Sequence, residues 1–308
     1  MSSTAAAPPV PRVSAIVPTL DRPDWLERAL AALAAARPAF HEVIVADQSA
    51  GAALDAGAAL CARFGARHLP LPRRGLSRAR NAAIAPCSGE WLAFPDDDAE
   101  VAPDALAVLA AHLAAAPETA FVCGHVSYPS GAPMQPGMDG RAREIATPVD
   151  VLKIVVSPGL FVRADAVARA GGFDEELGVG ATYPSGEESD LLFAVLAHGG
   201  RGAYVPALRV AHPDPFEIRD EAAQRRRMES YGRGWGALFA KHAARPGGEA
   251  FAALQRHYEG RARMGMTFAA LTLRPALAAR YRASLAGRRA GWNAWREAHA
   301  ARGAEPRS

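Results

Sequence analysis

The stretch VSAIVPTLDRPDWLERALAAL, residues 13–33, places a short apolar run of β type directly before an amphipathic helical pattern. Pro18 closes the apolar run, and Asp21 together with Pro23 marks the start of the helix. Apolar residues then recur every three or four positions, as on one face of a helix. The stretch therefore predicts a β-strand followed by a helix that packs back on it.

The same alternation continues along the chain. Further strands are predicted at 42–46, 66–71, 90–94, 120–126, 159–163 and, as a pair, 204–212, with helices at 52–64, 77–84, 103–115, 164–170 and 187–197. Alternation at this spacing predicts an α/β fold with a mostly parallel, doubly wound (Rossmann-like) sheet and helices on both faces. The Pro-, Gly- and Met-rich segment 127–158 shows little periodicity and is predicted to form a loop that acts as a lid.

Composition indicates a globular protein. Of the 308 residues, 50% are hydrophobic and 22% are charged, which excludes disordered, collagenous and low-complexity classes. The three cysteines, Cys61, Cys87 and Cys123, are widely spaced without a C-x-x-C pair, which argues against a disulfide scaffold or a zinc site. From these cysteines we expect a reducing, cytoplasmic location. We expect no membrane-spanning helix, because the apolar run at 264–273 is too short to cross a bilayer.

Charge divides the chain into two parts. Residues 216–308 carry 18 Lys and Arg against 8 Asp and Glu, a balance of +10, whereas residues 1–215 carry −7. We predict a disordered tail at 1–11, an α/β domain at 12–215 and a basic helical region at 216–308 with breaks at 245–248, 274–275 and Gly287. An acidic domain suits carboxylates gathered around a cation, and a basic helical region suits phosphate on a ligand or a membrane surface; solvated helix faces explain the basic charge equally well.

Three adjacent carboxylates, Asp96, Asp97 and Asp98, follow the predicted strand that ends at Phe94. Ligands of open α/β sheets bind at the carboxyl ends of the strands, and neighbouring carboxylates repel unless a cation neutralises them. Mg²⁺ is typically held by carboxylates and substrate phosphates, so the cluster predicts a metal-phosphate site. The alternative is an acidic turn that caps the helix starting at Pro103, and we favour the site because the apolar strand leads straight into the cluster.

Two other segments suggest ligand contacts. Asp47 ends the predicted strand at 42–46 and could accept hydrogen bonds from a base or a ribose, although an Asp here also caps the next helix. Arg80 lies in a basic stretch around a helix start, 73–81, which is suited to hold a diphosphate.

Acidic residues also form the first turn of the predicted helix at 187–197. Glu187, Glu188 and Asp190 lie close together there, where a carboxylate serves either as a general base with a raised pKa or as an ordinary helix cap. The segment alone does not separate these two roles. His212 ends the last predicted strand and is either a cation ligand or a structural histidine.

Taken together and in this order, the motifs resemble those of family 2 glycosyltransferases of the GT-A fold, over about residues 12–213. The match consists of five motifs, none of them specific alone: Val17-Pro18-Thr19, Asp47-Gln48-Ser49, Ser77-Arg78-Ala79-Arg80-Asn81, the Asp-x-Asp metal motif at Asp96-Asp97-Asp98, and Gly171-Gly172-Phe173-Asp174-Glu175 followed by Glu187-Glu188-Ser189-Asp190. Two positions depart from the family pattern. Gln48 replaces an acidic or Gly-containing pair, and Glu188 stands where the family has Asp, which lengthens the base by one methylene.

The resemblance implies a role for each site residue. Pro18, Thr19, Asp47, Arg80, Asp96 and Asp97 would bind the nucleotide sugar, Asp96, Asp98 and His212 would hold a divalent metal (Mn or Mg), and Glu188, with Glu187 and Asp190 beside it, would supply the catalytic base. Residues 12–126 would then form the nucleotide-sugar half and 159–215 the acceptor half of the catalytic domain.

The implied activity is metal-dependent, inverting transfer of a sugar from a nucleoside-diphosphate sugar to a hydroxyl of a glycan or lipid-linked acceptor, as in cell-surface polysaccharide synthesis. No nucleic acid partner is expected. Two other functions stay open: a nucleotidyltransferase that makes activated sugars, and a non-catalytic nucleotide-sugar-binding module. A nucleotidyltransferase is expected to carry a Gly-rich basic loop after its first strand, where this chain has the segment PTLDRP, residues 18–23.

Basic and apolar residues are interleaved in the C-terminal region. Met264, Met266, Phe268, Leu271 and Leu273 adjoin Arg261, Arg263, Arg274, Arg280 and Arg282. Such a pattern predicts either peripheral contact with an anionic membrane, at the inner face of the cytoplasmic membrane, or packing on the catalytic domain or on a second subunit of a homodimer, completed by Trp292 and Trp295.

Overall fold

The structure is a computed structural model that describes residues 8–214 and 220–300. Its contacts divide the chain into two compact units. The sheet unit contains the residues up to Phe173 together with Glu188–Asp214, and the helical unit contains Asp174–Glu187 together with the C-terminal helices. The predicted domain boundary at 215–216 and most of the predicted tail lie outside the described residues.

The sheet unit alternates strands and helices. Its strands are β1 Val13–Thr19, β2 Glu42–Asp47, β3 Arg67–Pro70, β4 Trp91–Ala93, β5 Glu100–Val101, β6 Phe121–Ser127, β7 Arg143–Ile145, β8 Leu160–Arg163 and β9 Gly202–Ala211. Its helices are α1 Pro23–Ala35, α2 Ala52–Phe64, α3 Leu76–Ile84, α4 Ala105–Ala115, α5 Pro148–Ile154, α6 Ala164–Ala170 and α7 Glu187–Ala197, whose first residue belongs to the helical unit. A short 3₁₀ turn at Ser157–Gly159 precedes β8.

The nine strands form one sheet in the order β3-β2-β1-β4-β8-β6-β9-β5, with β7 also paired to β9. Strands β1 to β4 are parallel, and β8 is antiparallel to both β4 and β6. Because β9 is parallel to β6, six strands run in one direction: β1, β2, β3, β4, β6 and β9. The carboxyl ends of these six strands therefore meet at the same edge of the sheet, and the predicted mostly parallel α/β fold is confirmed.

Two predictions for the second part of the sheet unit were wrong. The segment 127–158 is not irregular throughout, because it contains β7 and α5. Thr147 caps α5 in a reciprocal capping box with Asp150. These elements span three and seven residues, too few to show a period. The predicted strand pair at 204–212 is one continuous strand, β9, which pairs with three neighbours.

The helical unit contains three long helices, α8 Glu221–Ala243, α9 Glu249–Leu271 and α10 Pro275–Ala300. The predicted breaks at 245–248 and 274–275 separate them. The predicted break at Gly287 was wrong, because α10 continues through it.

Gly287 serves packing instead. A Cβ atom added there would lie 2.0 Å from the carbonyl oxygen of Glu229 in α8, and one added at Gly291 would lie 1.9 Å from that of Arg233. Gly232 and Gly236 of α8 approach the backbone of α10 in the same way. Four glycines, paired four residues apart on each helix, therefore let the backbones of α8 and α10 lie in direct contact.

Candidate functional site

The carboxyl edge of the sheet gathers most of the predicted site residues. Buried Pro18 and Thr19 end β1, and Thr19 is in register with Asp47 at the end of β2. Asp96, Asp97 and Asp98 follow β4, and His212 follows β9. Residues far apart in sequence meet here because the strands that carry them run in the same direction.

Asp96, Asp98 and His212 form a cluster in which one ligand atom from each residue lies within 4.8 Å of the others. The Nε2 atom of His212 lies 3.1 Å from Oδ1 of Asp98 and 4.0 Å from Oδ2 of Asp96. Its Nδ1 atom lies 2.7 Å from the carbonyl oxygen of Pro213. When Nδ1–H donates to that carbonyl, the neutral ring turns the lone pair of Nε2 toward the two carboxylates.

Arg22, which our sequence reasoning did not place in the site, binds two of the three aspartates. Its Nη1 donates to Oδ1 of Asp97 at 2.8 Å, and its Nη2 donates to Oδ2 of Asp98 at 2.5 Å. The hydroxyl of Thr19 donates to the other oxygen of Asp97 at 2.8 Å. The side chain of Asp97 thus holds the end of β1 and the start of α1 together, while Asp96 and Asp98 face His212.

The three neighbouring groups have shifted pKa values. Burial would raise the pKa of Asp98, but the hydrogen bonds from His212 and Arg22 outweigh it and lower that pKa to about 2. Burial dominates at Asp97 and raises its pKa to about 6 despite Arg22 and Thr19. For His212, burial lowers the pKa, yet the hydrogen bond and the charge of Asp98 raise it above its ordinary value overall. Asp98 is therefore an anion at neutral pH, as a cation ligand must be.

Arg80 is completely buried, and its Nη2 donates to Oδ1 of Asp96 at 3.1 Å. Its guanidinium lies over the ring of Phe173 at 5.3 Å, and Phe173 in turn packs edge-on against Phe94 at 5.1 Å. Asn81 fixes Phe173 by donating to its carbonyl oxygen and accepting from its N–H, at 2.8 and 2.9 Å. These contacts hold a buried cation in a fixed position beside the acidic cluster.

Asp47 has no exposed surface. Its Oδ1 accepts the N–H of Ser49 and its Oδ2 lies 2.9 Å from Nε2 of His68. The neighbouring Gln48 donates through Nε2 to the carbonyl oxygens of Arg73 and Gly75 at 2.6 and 3.0 Å. The residue that departs from the family pattern therefore anchors the basic loop in front of α3.

The acidic residues of α7 lie in its first turn, as predicted. Glu187 and Asp190 are 5% exposed, and Glu188 is half-buried. Burial, with a smaller contribution from the charge of Glu188, raises the pKa of Cys123 in β6 to about 12. Glu188 therefore lies close enough to β6 to act on it electrostatically.

The cluster of Asp96, Asp98 and His212 fits a divalent cation. Two carboxylate oxygens and one imidazole nitrogen are ligands that Mn²⁺ accepts, and Mg²⁺ takes the carboxylates. The lowered pKa of Asp98 keeps that ligand ionised, whereas His212, whose pKa Asp98 raises, would give up its Nε2 proton to a bound cation. The described residues contain one such group of three possible ligands.

The known proteins that this chain resembles are glycosyltransferases. Residues 14–143 match the model of glycosyl transferase family 2. A curated relative, the pre-mycofactocin glycosyltransferase of Mycobacterium tuberculosis, is 27% identical over 239 residues, which is 75% of this chain and 48% of the relative. The chain thus spans about half the length of the curated relatives it matches.

Solved structures share the fold. The mannosyltransferase PcManGT from Pyrobaculum calidifontis, in complex with GDP-Man and Mn²⁺, superposes with a TM-score of 0.57 at 21% identity, over 97% of this chain and 79% of that one. TarS of S. aureus in complex with UDP superposes with a TM-score of 0.54 at 17% identity, over 93% and 92% of the two chains. The match over residues 14–143 makes the chain similar to family 2 glycosyltransferases, and the solved structures share its GT-A fold.

Proposed function

We propose that this protein transfers a sugar from a nucleoside-diphosphate sugar to a hydroxyl of a glycan or lipid-linked acceptor, with inversion at the anomeric carbon and with a divalent cation. The observation that carries the proposal is the cluster of Asp96, Asp98 and His212 at the carboxyl edge of the sheet, in which Asp96 also accepts a hydrogen bond from buried Arg80. Acidic ligands for a cation and a fixed guanidinium are the two features that a leaving diphosphate requires.

The donor binds along this edge. Arg80 is held by Asp96 and Phe173 and has no exposed surface, so its positive charge acts on the diphosphate from behind Asp96 and not by direct pairing. Asp47 and Gln48 maintain the loop in front of α3, against which the nucleoside lies. Asp96, Asp98 and His212 would hold Mn²⁺ or Mg²⁺, which when bound offsets the negative charge that develops on the departing diphosphate.

Glu188 acts as the base. It accepts the proton of the acceptor hydroxyl while that oxygen attacks the anomeric carbon, and the bond to the diphosphate breaks on the opposite side. The product is an inverted glycoside and a free nucleoside diphosphate. Glu187 and Asp190 are more deeply buried than Glu188, which leaves Glu188 the accessible carboxylate of this turn.

The first experiment measures Mn²⁺-dependent thermal stabilisation by a panel of nucleotide sugars. GDP- and UDP-linked sugars come first, because solved neighbours contain GDP-Man and UDP. A donor at about 100 times its Kd stabilises the folded state by about 2.7 kcal/mol. Asp98→Asn is expected to remove this stabilisation, while the control Asp165→Asn, an exposed carboxylate on α6, retains it.

The second experiment separates binding from transfer. Glu188→Gln is expected to keep donor binding and to lose turnover, because only the proton acceptor is removed. Equal losses of donor affinity and turnover would contradict the assignment and direct the search to Glu187 or Asp190.

The released product distinguishes the enzyme classes. Transfer releases nucleoside diphosphate, a nucleotidyltransferase releases pyrophosphate, and a binding module releases neither. The structure offers one argument against the nucleotidyltransferase: Arg22, the basic residue of the segment after β1, is bound to Asp97 and Asp98.

Wild-type activity of Asp98→Asn at saturating Mn²⁺ would overturn the proposed metal site.

A further inference from the structure

Large apolar side chains are exposed at one end of the α9–α10 hairpin. Met264, Phe268, Leu271 and Leu273 are 67, 57, 80 and 89% exposed. Among the described residues only three other large apolar side chains are exposed to solvent, and they are spread over the chain at Val10, Val149 and Val179. We call residues 261–282, which include the end of α9 and the start of α10, the hairpin tip.

The exposed residues occupy one face of α9. Met264, Phe268 and Leu271 are spaced four and three positions apart, so they form a single stripe. The buried residues of α9, Gln255, Ala262 and Ala269, lie on the opposite face. The stripe is therefore not the face that packs inside the helical unit. The four side chains are exposed, whereas Trp295 is buried.

The turn that carries Leu273 is ordered by hydrogen bonds. The N–H of Arg274 donates to the carbonyl oxygen of Ala269 at 2.8 Å, and that of Leu273 donates to Ala270 at 3.2 Å, as in a Schellman motif. Leu273 has a φ of 53°, a conformation in which a leucine is less favourable than a glycine. A glycine would adopt this backbone conformation more favourably, so the exposed leucine is not explained by the folding of the hairpin.

The charge around the stripe is of one sign. Residues 260–296 contain eight arginines and no acidic residue or lysine. Arg263 pairs with Glu259, but Arg261, Arg274, Arg280 and Arg282 form no ion pair within the part of the chain that the structure describes. These four positive charges lie in the same hairpin tip as the exposed apolar stripe, and basic and apolar residues combined in one segment are typical of segments that bind lipid headgroups.

We infer that the hairpin tip docks on an anionic lipid surface. Phe268, Leu271 and Leu273 enter the boundary between headgroups and acyl chains, and the four arginines pair with lipid phosphates. No helix in the described residues is both long and apolar enough to cross a membrane, so the contact is peripheral. The inference goes beyond the proposed transfer reaction and does not depend on it.

A second copy of the chain suits the hairpin tip less well. A two-fold interface brings the same surface of both subunits together, so the unpaired arginines would face one another. A stable dimer also buries roughly 800 Å² on each partner, which four side chains do not supply alone. An anionic lipid surface matches both the charge and the size of the tip.

The test is co-sedimentation of the full-length protein, without donor, with phosphatidylcholine vesicles and with vesicles that also contain phosphatidylglycerol. Binding only to the anionic vesicles is expected, and it should weaken at high salt, because the Debye length falls from about 10 Å at 0.1 M to about 3 Å at 1 M. The triple variant Arg261→Gln, Arg280→Gln, Arg282→Gln should lower the partition coefficient on the order of a hundredfold, since each arginine contributes about 1 kcal/mol.

The apolar part is tested separately. Phe268→Ser combined with Leu271→Ser should lower partitioning at least about tenfold, the effect of losing the burial of a large apolar side chain. The matched control is Val149→Ser, an exposed apolar residue of the sheet unit, which should leave partitioning unchanged. Circular dichroism verifies that each variant is folded. Folded wild type that does not sediment with anionic vesicles, or a dimer that the tip variants dissociate, would overturn the inference.

Discussion

The contact between α8 and α10 predicts opposite outcomes for two identical chemical changes, Gly291→Ala and Gly260→Ala. A Cβ at position 291 would lie 1.9 Å from the carbonyl oxygen of Arg233, whereas carbon contacts are normally about 3.5 Å. The helices would have to separate by about 1.5 Å. Because a Cβ added at any of the three other glycines would also lie within 2.5 Å of the opposite backbone, the helices are in equally close contact there, and the separation opens the whole contact.

The net effect follows from two opposing terms. Overpacking of this kind costs about 1–3 kcal/mol, and the better helix propensity of alanine returns up to about 1 kcal/mol. Because the added Cβ would clash with backbone, which cannot move aside as a side chain can, the cost lies at the upper end of this range, and Gly291→Ala should lower the free energy of unfolding by about 2 kcal/mol. At Gly260 no atom lies within 4 Å of the added Cβ, so the propensity gain is unopposed and the variant should be more stable by up to about 1 kcal/mol.

Urea denaturation followed by helical circular dichroism measures both variants against the wild type. Since the two substitutions add the same methyl group, a general effect of alanine on helix formation moves both midpoints in the same direction. Equal stability of Gly291→Ala and wild type would refute the close approach of α8 and α10. A loss of stability in Gly260→Ala would show instead that the exposed face of α9 tolerates no added methyl group.

Two further predictions concern the sheet unit. A Cβ at Gly57 would lie 2.3 Å from Oδ2 of Asp47, so Gly57→Ala should break the contact between Asp47 and His68 and weaken donor binding in the thermal-shift assay. Unchanged donor affinity would mean that the Asp47 carboxylate does not support the nucleoside. Burial raises the pKa of Cys87 to about 11, so the rate at which iodoacetamide alkylates it should rise about tenfold per pH unit from pH 7 to 10. The Cys87→Ser variant identifies this reaction, because the alkylation of Cys87 is absent from it. A plateau of the rate near pH 9 would contradict the raised pKa.

The parallel strands of the first half and the acidic cluster at their edge could be predicted from sequence because each strand carries its own evidence. The buried strands β1 and β2 are continuous apolar runs, and the polar residues that follow them mark their carboxyl ends. Parallel pairing then brings Thr19, Asp47 and Asp96 to one edge without any knowledge of long-range contacts.

The residues that sequence reasoning missed depend on contacts between distant parts of the chain. Arg22 binds an aspartate 75 residues further along, and Asn81 binds Phe173 at a separation of 92. In the sequence analysis Arg22 occurs only within the segment PTLDRP, which argues against a nucleotidyltransferase. A signal existed, since an arginine directly after the first parallel strand faces the same sheet edge as the acids that follow β4.

Glycine was misread for a related reason. Gly287 predicts a helix end when only its propensity is considered, but its spacing of four from Gly291 matches that of Gly232 and Gly236 in α8. The close contact of two backbones offsets the unfavourable propensity, so the glycines continue the helix rather than end it. Paired glycines four residues apart on two predicted helices are the pattern that would have indicated the contact.

The division of charge acquires a physical meaning from these positions. The acidic part of the chain places Asp96 and Asp98 beside His212, whereas the hairpin tip combines an exposed apolar stripe with four arginines that form no ion pair within residues 8–214 and 220–300. If the basic charge only solvated the helices, acidic residues should be interspersed with the arginines, yet residues 260–296 contain none. The two proposed ligands, a nucleoside-diphosphate sugar with its cation and an anionic lipid surface, thus involve separate residues, and a variant of the hairpin tip should alter vesicle binding without changing donor affinity.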